Sequence, residues 1–253
     1  MAEVNPVFMG VEINHAAGRL RRAFVYAALD ADRELLAIGT GDREEVLAYL
    51  GGQQAAYVAI NAPRRPNIGA INQEGNQQEL FGFDATAKPP ASARLCEAML
   101  EAQGFKITGT PEKVKACPHW MRQGFDLYRR LAAFGYETYP NEGAPRQSLE
   151  TQGDAIFWRL LSGKMPLPES LEGRLQRQLI LHDQQMPVKD AMDFFLEITR
   201  HKLIHGEIPD QEIHPFLELN ALAAAHVAWQ AAFQPQKLER LGDPDEGQMT
   251  LPI

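Results

Sequence analysis

The sequence predicts an α/β domain in which a mixed sheet is covered by helices on both faces. Three observations predict it. Apolar runs of strand length recur along the chain, amphipathic runs of helix length follow them, and the first three apolar runs are joined too tightly to admit a helix. At 253 residues, 45% hydrophobic and 23% charged, the chain can bury a large core, and no Ser/Gly-rich linker or composition step divides it. A single domain over residues 1–253 is therefore expected.

Residues 7–13 (VFMGVEI) are almost wholly apolar, the pattern of a central strand covered on both sides, and Glu12 interrupts them near the carboxyl end. Residues 23–29 (AFVYAAL) and 35–40 (LLAIGT) flank Asp30-Ala31-Asp32-Arg33 and read as a hairpin continuing from the first strand. Asp42 followed by Glu45 has the spacing of a capping box. The helix it opens carries Val46, Leu47 and Leu50, and Gly51-Gly52 stops it. Residues 55–60 (AAYVAI) read as another buried strand, ended by Asn61-Ala62-Pro63.

From Arg64 to about Pro90, Pro, Gly, Asn and Gln dominate without a sustained period, which predicts a long functional loop. Residues 94–103 and 124–134 have helical spacing, and residues 136–139 and 149–151 read as short extended segments. A helical insertion is expected over about 154–206, with helices at 154–161, 170–182 and 190–205. The last has Asp190 and Asp193 at capping-box spacing and Gly206 as its stop. The final helix, residues 219–233, contains seven alanines between Ala221 and Ala232, so its backbone should approach the sheet closely. Three strands, then a helix, a strand, a helix, a strand and a helix is the order of the ribonuclease H-like fold, a three-layer arrangement.

A formal net charge of −8 argues against a protein that coats nucleic acid, although a local basic cleft could still meet a phosphate backbone. The first ten residues lack a basic segment and an apolar run of secretory length, and no apolar stretch approaches the roughly 20 residues of a membrane helix. A cytoplasmic protein without a membrane partner is expected. Cys96 and Cys117 have no CxxC spacing and read as reduced, structural thiols.

Six segments then fall in one order: GVE at 10–12, INAPRRPN at 60–67, LEGRLQRQLIL at 171–181, ITRHKL at 198–203, ELNALAAA at 218–225 and LGDPDEGQMTLP at 241–252. Together they resemble the domain of unknown function 429 family, described as predicted nucleases with a ribonuclease H-like fold, over nearly the whole chain. The resemblance implies acids at the end of the first strand, the end of a middle strand and the start of the last helix, converging on Mg²⁺ or Mn²⁺. Hard, oxygen-seeking ions of this kind can activate water against a phosphodiester.

Carried over position by position, the family's GID becomes GVE, with Glu12 in place of Asp. IDAP becomes INAP, with Asn61, and ELDAL becomes ELNAL, with Asn220. The strand acid followed by a helix is best matched by Glu150; Glu137 is the alternative, because ETYP resembles the family's EVYP. The resemblance thus implies Glu12, Asn61, Glu150 and Asn220 as catalytic positions, with Glu12 and Glu150 as metal ligands. Unit charges about 4 Å apart interact by roughly 4 kcal/mol at an effective dielectric near 20, so each neutral amide forfeits much of the attraction for a divalent ion. One weakly held ion is the expectation. Asn61 and Asn220 also read simply as a strand-end residue and a helix cap.

Arg64 and Arg65, on the loop leaving the strand that ends at Asn61, and Arg174 and Arg200 further on, are candidate phosphate contacts. Each reads equally as a solvated or salt-bridged arginine, as does Arg177. His201 and His205 have zinc-clamp spacing but no intervening HExxH glutamate, so a solvated helix face is the simpler reading. The expected function is a metal-dependent nuclease or phosphodiesterase of weakened activity, acting on nucleic acid or another phosphodiester. The alternative is an inactive binding or scaffolding protein on the same fold. An actin-like sugar kinase ranks below both, since HAAGRLRR at 15–22 has one glycine where a phosphate loop needs several.

Overall fold

Strand β1 (Val7–Ile13) is buried along its whole length, and its side chains divide by the period of two that a pleated strand imposes. Val7, Met9, Val11 and Ile13 enter one core cluster, and Phe8 enters the other. The computed structural model describes residues 5–15, 22–73, 93–161, 165–208 and 212–253. β2 (Phe24–Leu29) and β3 (Leu35–Gly41) form the expected antiparallel hairpin beside β1. On the other side β4 (Ala56–Asn61) runs parallel to β1, and β6 (Arg146–Glu150) runs parallel to β4. The sheet is completed by β5 (Glu137–Thr138), β7 (Leu238–Leu241) and β8 (Met249–Pro252), in the order β3-β2-β1-β4-β6-β8-β7 with β5 paired to β6.

Helices cover both faces. α1 (Arg43–Gly51) and α3 (His119–Ala133) place Val46, Leu50, Leu127 and Leu131 against Met9, Val11 and Ile60. The opposite face carries α7 (Phe216–Phe233), with α4 (Gly153–Leu161) and α5 (Leu171–Asp183) beside it. α2 (Leu95–Ala102) adds Cys96 and Leu100 to that side. α6 (Phe195–His205) belongs to a smaller cluster, where Phe194 and Ile198 meet Leu175 of α5 and Ile213. Among the described residues, no helix is long and apolar enough to cross a membrane.

Local chemistry explains most boundaries. Asp42 and Glu45 form the full capping box of α1, Ser170 accepts from the Gly173 amide at the start of α5, and Gly206 ends α6 with φ 78. Three expectations need correction. The helix expected from residue 190 begins only at Phe195, because the Asp190 carboxylate accepts from the Met192 amide (2.9 Å) and holds a turn instead. The helix expected from Gly124 begins at His119. Gly124 sits inside it because a Cβ there would lie 2.6 Å from the Ala62 Cβ, so close packing on the β4 exit outweighs low helix propensity. Finally, the chain does not end on α7: β7 and β8 add a hairpin at the sheet edge. Of the expected long loop, residues 64–73 carry a short 3-10 turn at Ala70–Asn72, and residues 74–90 lie outside the described residues, as do residues 16–21 of HAAGRLRR.

The alanine-rich helix does lie tight against the sheet. A Cβ on Gly10 would overlap the Ala221 carbonyl oxygen and the Ala225 amide nitrogen, both backbone atoms that cannot move aside. Gly10→Ala is therefore expected to cost about 3 kcal/mol or more, the upper range of overpacking. Gly52→Ala, where no atom lies closer than 3.7 Å to the added carbon, should stay within about 0.5 kcal/mol of the parent. Urea denaturation of the two variants checks the contrast.

Candidate functional site at the carboxyl edge of the sheet

The parallel strands β1, β4 and β6 end at one edge, and register decides which side chains meet there. Glu12 pairs with Asn61, so both point to the face covered by α7, on the parity of Phe8 and Ala59. Glu150 pairs with Ile60, one residue out of step, and its side chain takes the parity of the face covered by α1 and α3. The structure thus brings Glu12, Asn61 and Asn220 together and leaves Glu150 one residue out of register at the same edge, where it and Asn61 line one cavity.

Glu12 is 2% exposed; the Asn61 Nδ2 donates to its Oε2, and Asn220, in the first turns of α7, bonds to it as well. Burial pushes the Glu12 carboxyl up to about 8; the Asn61 and Asn220 bonds oppose that rise, and the nearby Asp154 charge adds to it. The carboxyl is thus largely protonated at neutral pH. Asn220 Oδ1 is itself buried with no donor among the described residues. Gly153 leaves the room for Asn220, since a Cβ there would sit 2.7 Å from its amide carbon.

Glu150 is held by a different set. The Arg94 guanidinium grips both of its oxygens, through Nη1 to Oε2 at 2.9 Å and through Nη2 to Oε1, and the Arg64 amide donates to Oε2 at 2.9 Å. Arg94 is 1% exposed and bonds also to Glu97, which accepts from the Arg94 amide and from the amide and hydroxyl of Thr110. A bidentate, desolvated guanidinium–carboxylate pair is among the strongest polar contacts available to a protein. The C-terminal hairpin locks the same corner: buried Glu246 accepts from the amides of Leu95, at the start of α2 (2.6 Å), Ile68 (3.1 Å) and Ala70 (3.3 Å).

The expected phosphate contacts separate into two kinds. The Arg64 guanidinium is engaged internally, on the Ser148 carbonyl at 2.8 Å, on Thr138 and over the Tyr128 ring at 4.5 Å. Arg174 is buried in the helical region, where it bonds to the carbonyls of His214 and Ile213. Arg65 and Arg200 are exposed. Glu137, the alternative strand acid, is exposed on β5 opposite Gln147, back from the edge where Glu150 sits. His201 and His205 have ring centroids 4.5 Å apart on α6, outside this corner. Cys96 and Cys117 are buried and unpaired, and burial pushes the Cys96 thiol up.

Two residues that sequence reasoning did not single out shape the site. Arg94 and Asp154 appeared only as the first residues of expected helices. Asp154 faces Glu12 electrostatically and keeps one oxygen on Arg177 at 2.7 Å. A cavity of about 230 Å³ is lined by Arg94 and Asp154, together with the polar Asn61 and Glu150 and the apolar Phe105, Trp120 and Met121. His15 stacks on Trp120 at 4.0 Å, and burial pulls its pKa down, against the Asp154 charge.

This donor set does not fit a resident divalent ion. Asn61 and Asn220 are neutral, and Glu150 already has a cation on both oxygens. A second positive charge at Glu150 would have to displace Arg94 from a dry pocket. Among the described residues, no three His, Cys, Asp or Glu side chains are arranged to hold a metal.

The Glu12 geometry has a pH signature. Below about 4.5 both folded and unfolded chains hold the proton, between about 4.5 and 8 only the folded chain does, and above 8 neither does. Glu12 therefore favours folding at low pH, and that contribution is lost as pH rises through 8. Glu12→Gln, which keeps the shape without the titration, should gain stability over the parent by up to about 1.4 kcal/mol per pH unit across that window and level off above it. Chemical denaturation at several pH values measures it. Taking the difference between variant and parent removes His226, whose pKa burial and the Arg33 and Lys237 charges pull down to about 4. A pH-independent difference would mean that Glu12 is ionised throughout.

No family model, curated protein or solved structure matches the chain. What the site does rests on its own geometry.

Proposed function

We propose that this chain is a ribonuclease H-like domain that has exchanged a metal centre for internal positive charge, and that it works as a ligand-binding module and not as a hydrolase. The fold part of the reading is supported by the strand order β3-β2-β1-β4-β6 with an antiparallel opening hairpin and a final helix crossing β1. The observation that carries the functional part is Arg94 on both oxygens of Glu150. Where a phosphodiester-cleaving site needs anionic oxygens free for Mg²⁺ or Mn²⁺, this one has a guanidinium on one carboxylate and a proton on the other. The two buried, unpaired cysteines fit a reducing setting, and we place the protein in the cytoplasm.

A second reading, a metal-dependent nuclease of reduced activity, draws on the meeting of Glu12, Asn61 and Asn220 at the carboxyl edge of the sheet. Nucleic acid would then be the partner, with Arg65 as the exposed cation of the β4 exit. Calorimetric titration separates the readings. The unaltered chain should bind no Mn²⁺ at millimolar concentration and show no Mn²⁺-dependent cleavage of single- or double-stranded DNA or RNA. Arg94→Met, which frees Glu150 and one side of Glu97, should gain Mn²⁺ affinity and be stabilised by the ion, since binding to the folded form alone raises stability. Tight Mn²⁺ binding and cleavage by the unaltered chain would establish the second reading.

A further inference from the structure

The cavity beside Asn61 is too small for a strand of nucleic acid. At about 230 Å³ it falls below the roughly 300–1,000 Å³ of clefts that take drug-sized molecules, so its occupant is a compact organic molecule. Its walls are of two kinds. Phe105, Ile107, Trp120 and Met121 are among the apolar residues that line it, and Asn61, Glu97, Glu150 and Asp154 among the polar ones.

What the polar residues still offer is acceptors. Asn61 is 5% exposed, lines the cavity and uses its Nδ2 on Glu12; no donor among the described residues reaches its Oδ1. Asp154 has one oxygen on Arg177, and no described donor reaches the other. The remaining carboxylates, Glu97 and Glu150, are saturated by Arg94, Thr110 and the Arg64 amide. Three carboxylates and two cations line the cavity, and one of those cations, Lys106, is exposed at the rim. Neither acceptor is sealed from water, Asp154 having 33% of its side chain exposed. A ligand that replaces water there must carry N–H donors, and the Asp154 charge favours a cationic one.

Resting on the ligand-binding reading above, we propose that this cavity binds a small organic cation. An amidinium, guanidinium or primary ammonium group would meet Asn61 Oδ1 and Asp154, and an apolar or planar body would lie against Phe105, Trp120 and Met121.

Three probes of one shape and different charge test this on the unaltered full-length chain: benzamidine, benzamide and benzoate, each titrated by calorimetry and by thermal shift. Benzamidine is expected to bind about tenfold or more tightly than benzamide, and benzoate not measurably. Asp154→Asn should remove most of the preference for benzamidine over benzamide while leaving the neutral probe unchanged. Because the charge series needs no variant, a misfolded Asp154→Asn would not blunt the test. Equal binding of all three probes, tighter binding of benzoate, or no binding of benzamidine overturns the proposal. The Mn²⁺ titration reports separately on the ligand-binding reading, so the two failures are distinguishable.

Discussion

A guanidinium sealed inside a protein must be matched bond for bond, and the corner built around Arg94 is arranged to do that. Its side chain reaches Glu97 and Glu150, Glu97 in turn fixes Thr110, and Glu150 takes the amide of Arg64 at the β4 exit. One buried cation therefore ties α2, β6, the loop after β4 and the segment around Thr110 into a single unit. Removing one partner from such a set leaves a charge that water cannot reach, typically at a cost of about 3–5 kcal/mol. Glu246 extends the unit to the C-terminal hairpin through the Leu95 amide, which would otherwise be orphaned at the start of α2.

The same edge of the sheet holds a second solution to buried negative charge. Glu12 sits under α7, which Gly10 admits to backbone contact, and among the described residues no cation pairs with it. It avoids the cost of a buried charge by keeping its proton, with Asn61 and Asn220 as neutral partners. A proton on one carboxylate and a guanidinium on the other account for both acids without an external ion, and they leave the adjoining cavity with unfilled acceptors at Asn61 and Asp154.

Much of the fold was legible in the sequence because the signals were local. The capping box at Asp42 and Glu45, the Gly206 stop and the apolar runs of β1, β2 and β4 each lie within a few residues and were read correctly. Asp190 looked like the same kind of signal, but its carboxylate closed a turn. The C-terminal strands are four residues each and pair mainly with one another, too short for periodicity to register. At the site, Glu12 and Asn61 were legible as polar residues at strand ends, whereas Asn220, read as a helix cap, lies a turn inside α7, whose cap is Pro215. The position of Glu150 was not legible, because it depends on a one-residue register between β4 and β6. Arg94 was invisible for a simpler reason: its partner lies 56 residues away, and nothing local distinguishes it from a solvated arginine.

A double-mutant cycle on Arg94 and Glu150 tests the central claim most directly. Arg94→Met, Glu150→Met and the double variant would be unfolded in urea at neutral pH. Each single change should cost about 3 kcal/mol or more, and the double variant should be more stable than the sum predicts by about 2–3 kcal/mol, since it leaves neither charge stranded. If the two costs simply add, to within about 0.5 kcal/mol, Arg94 and Glu150 are not a buried pair and the account of an internal cation at this edge is contradicted.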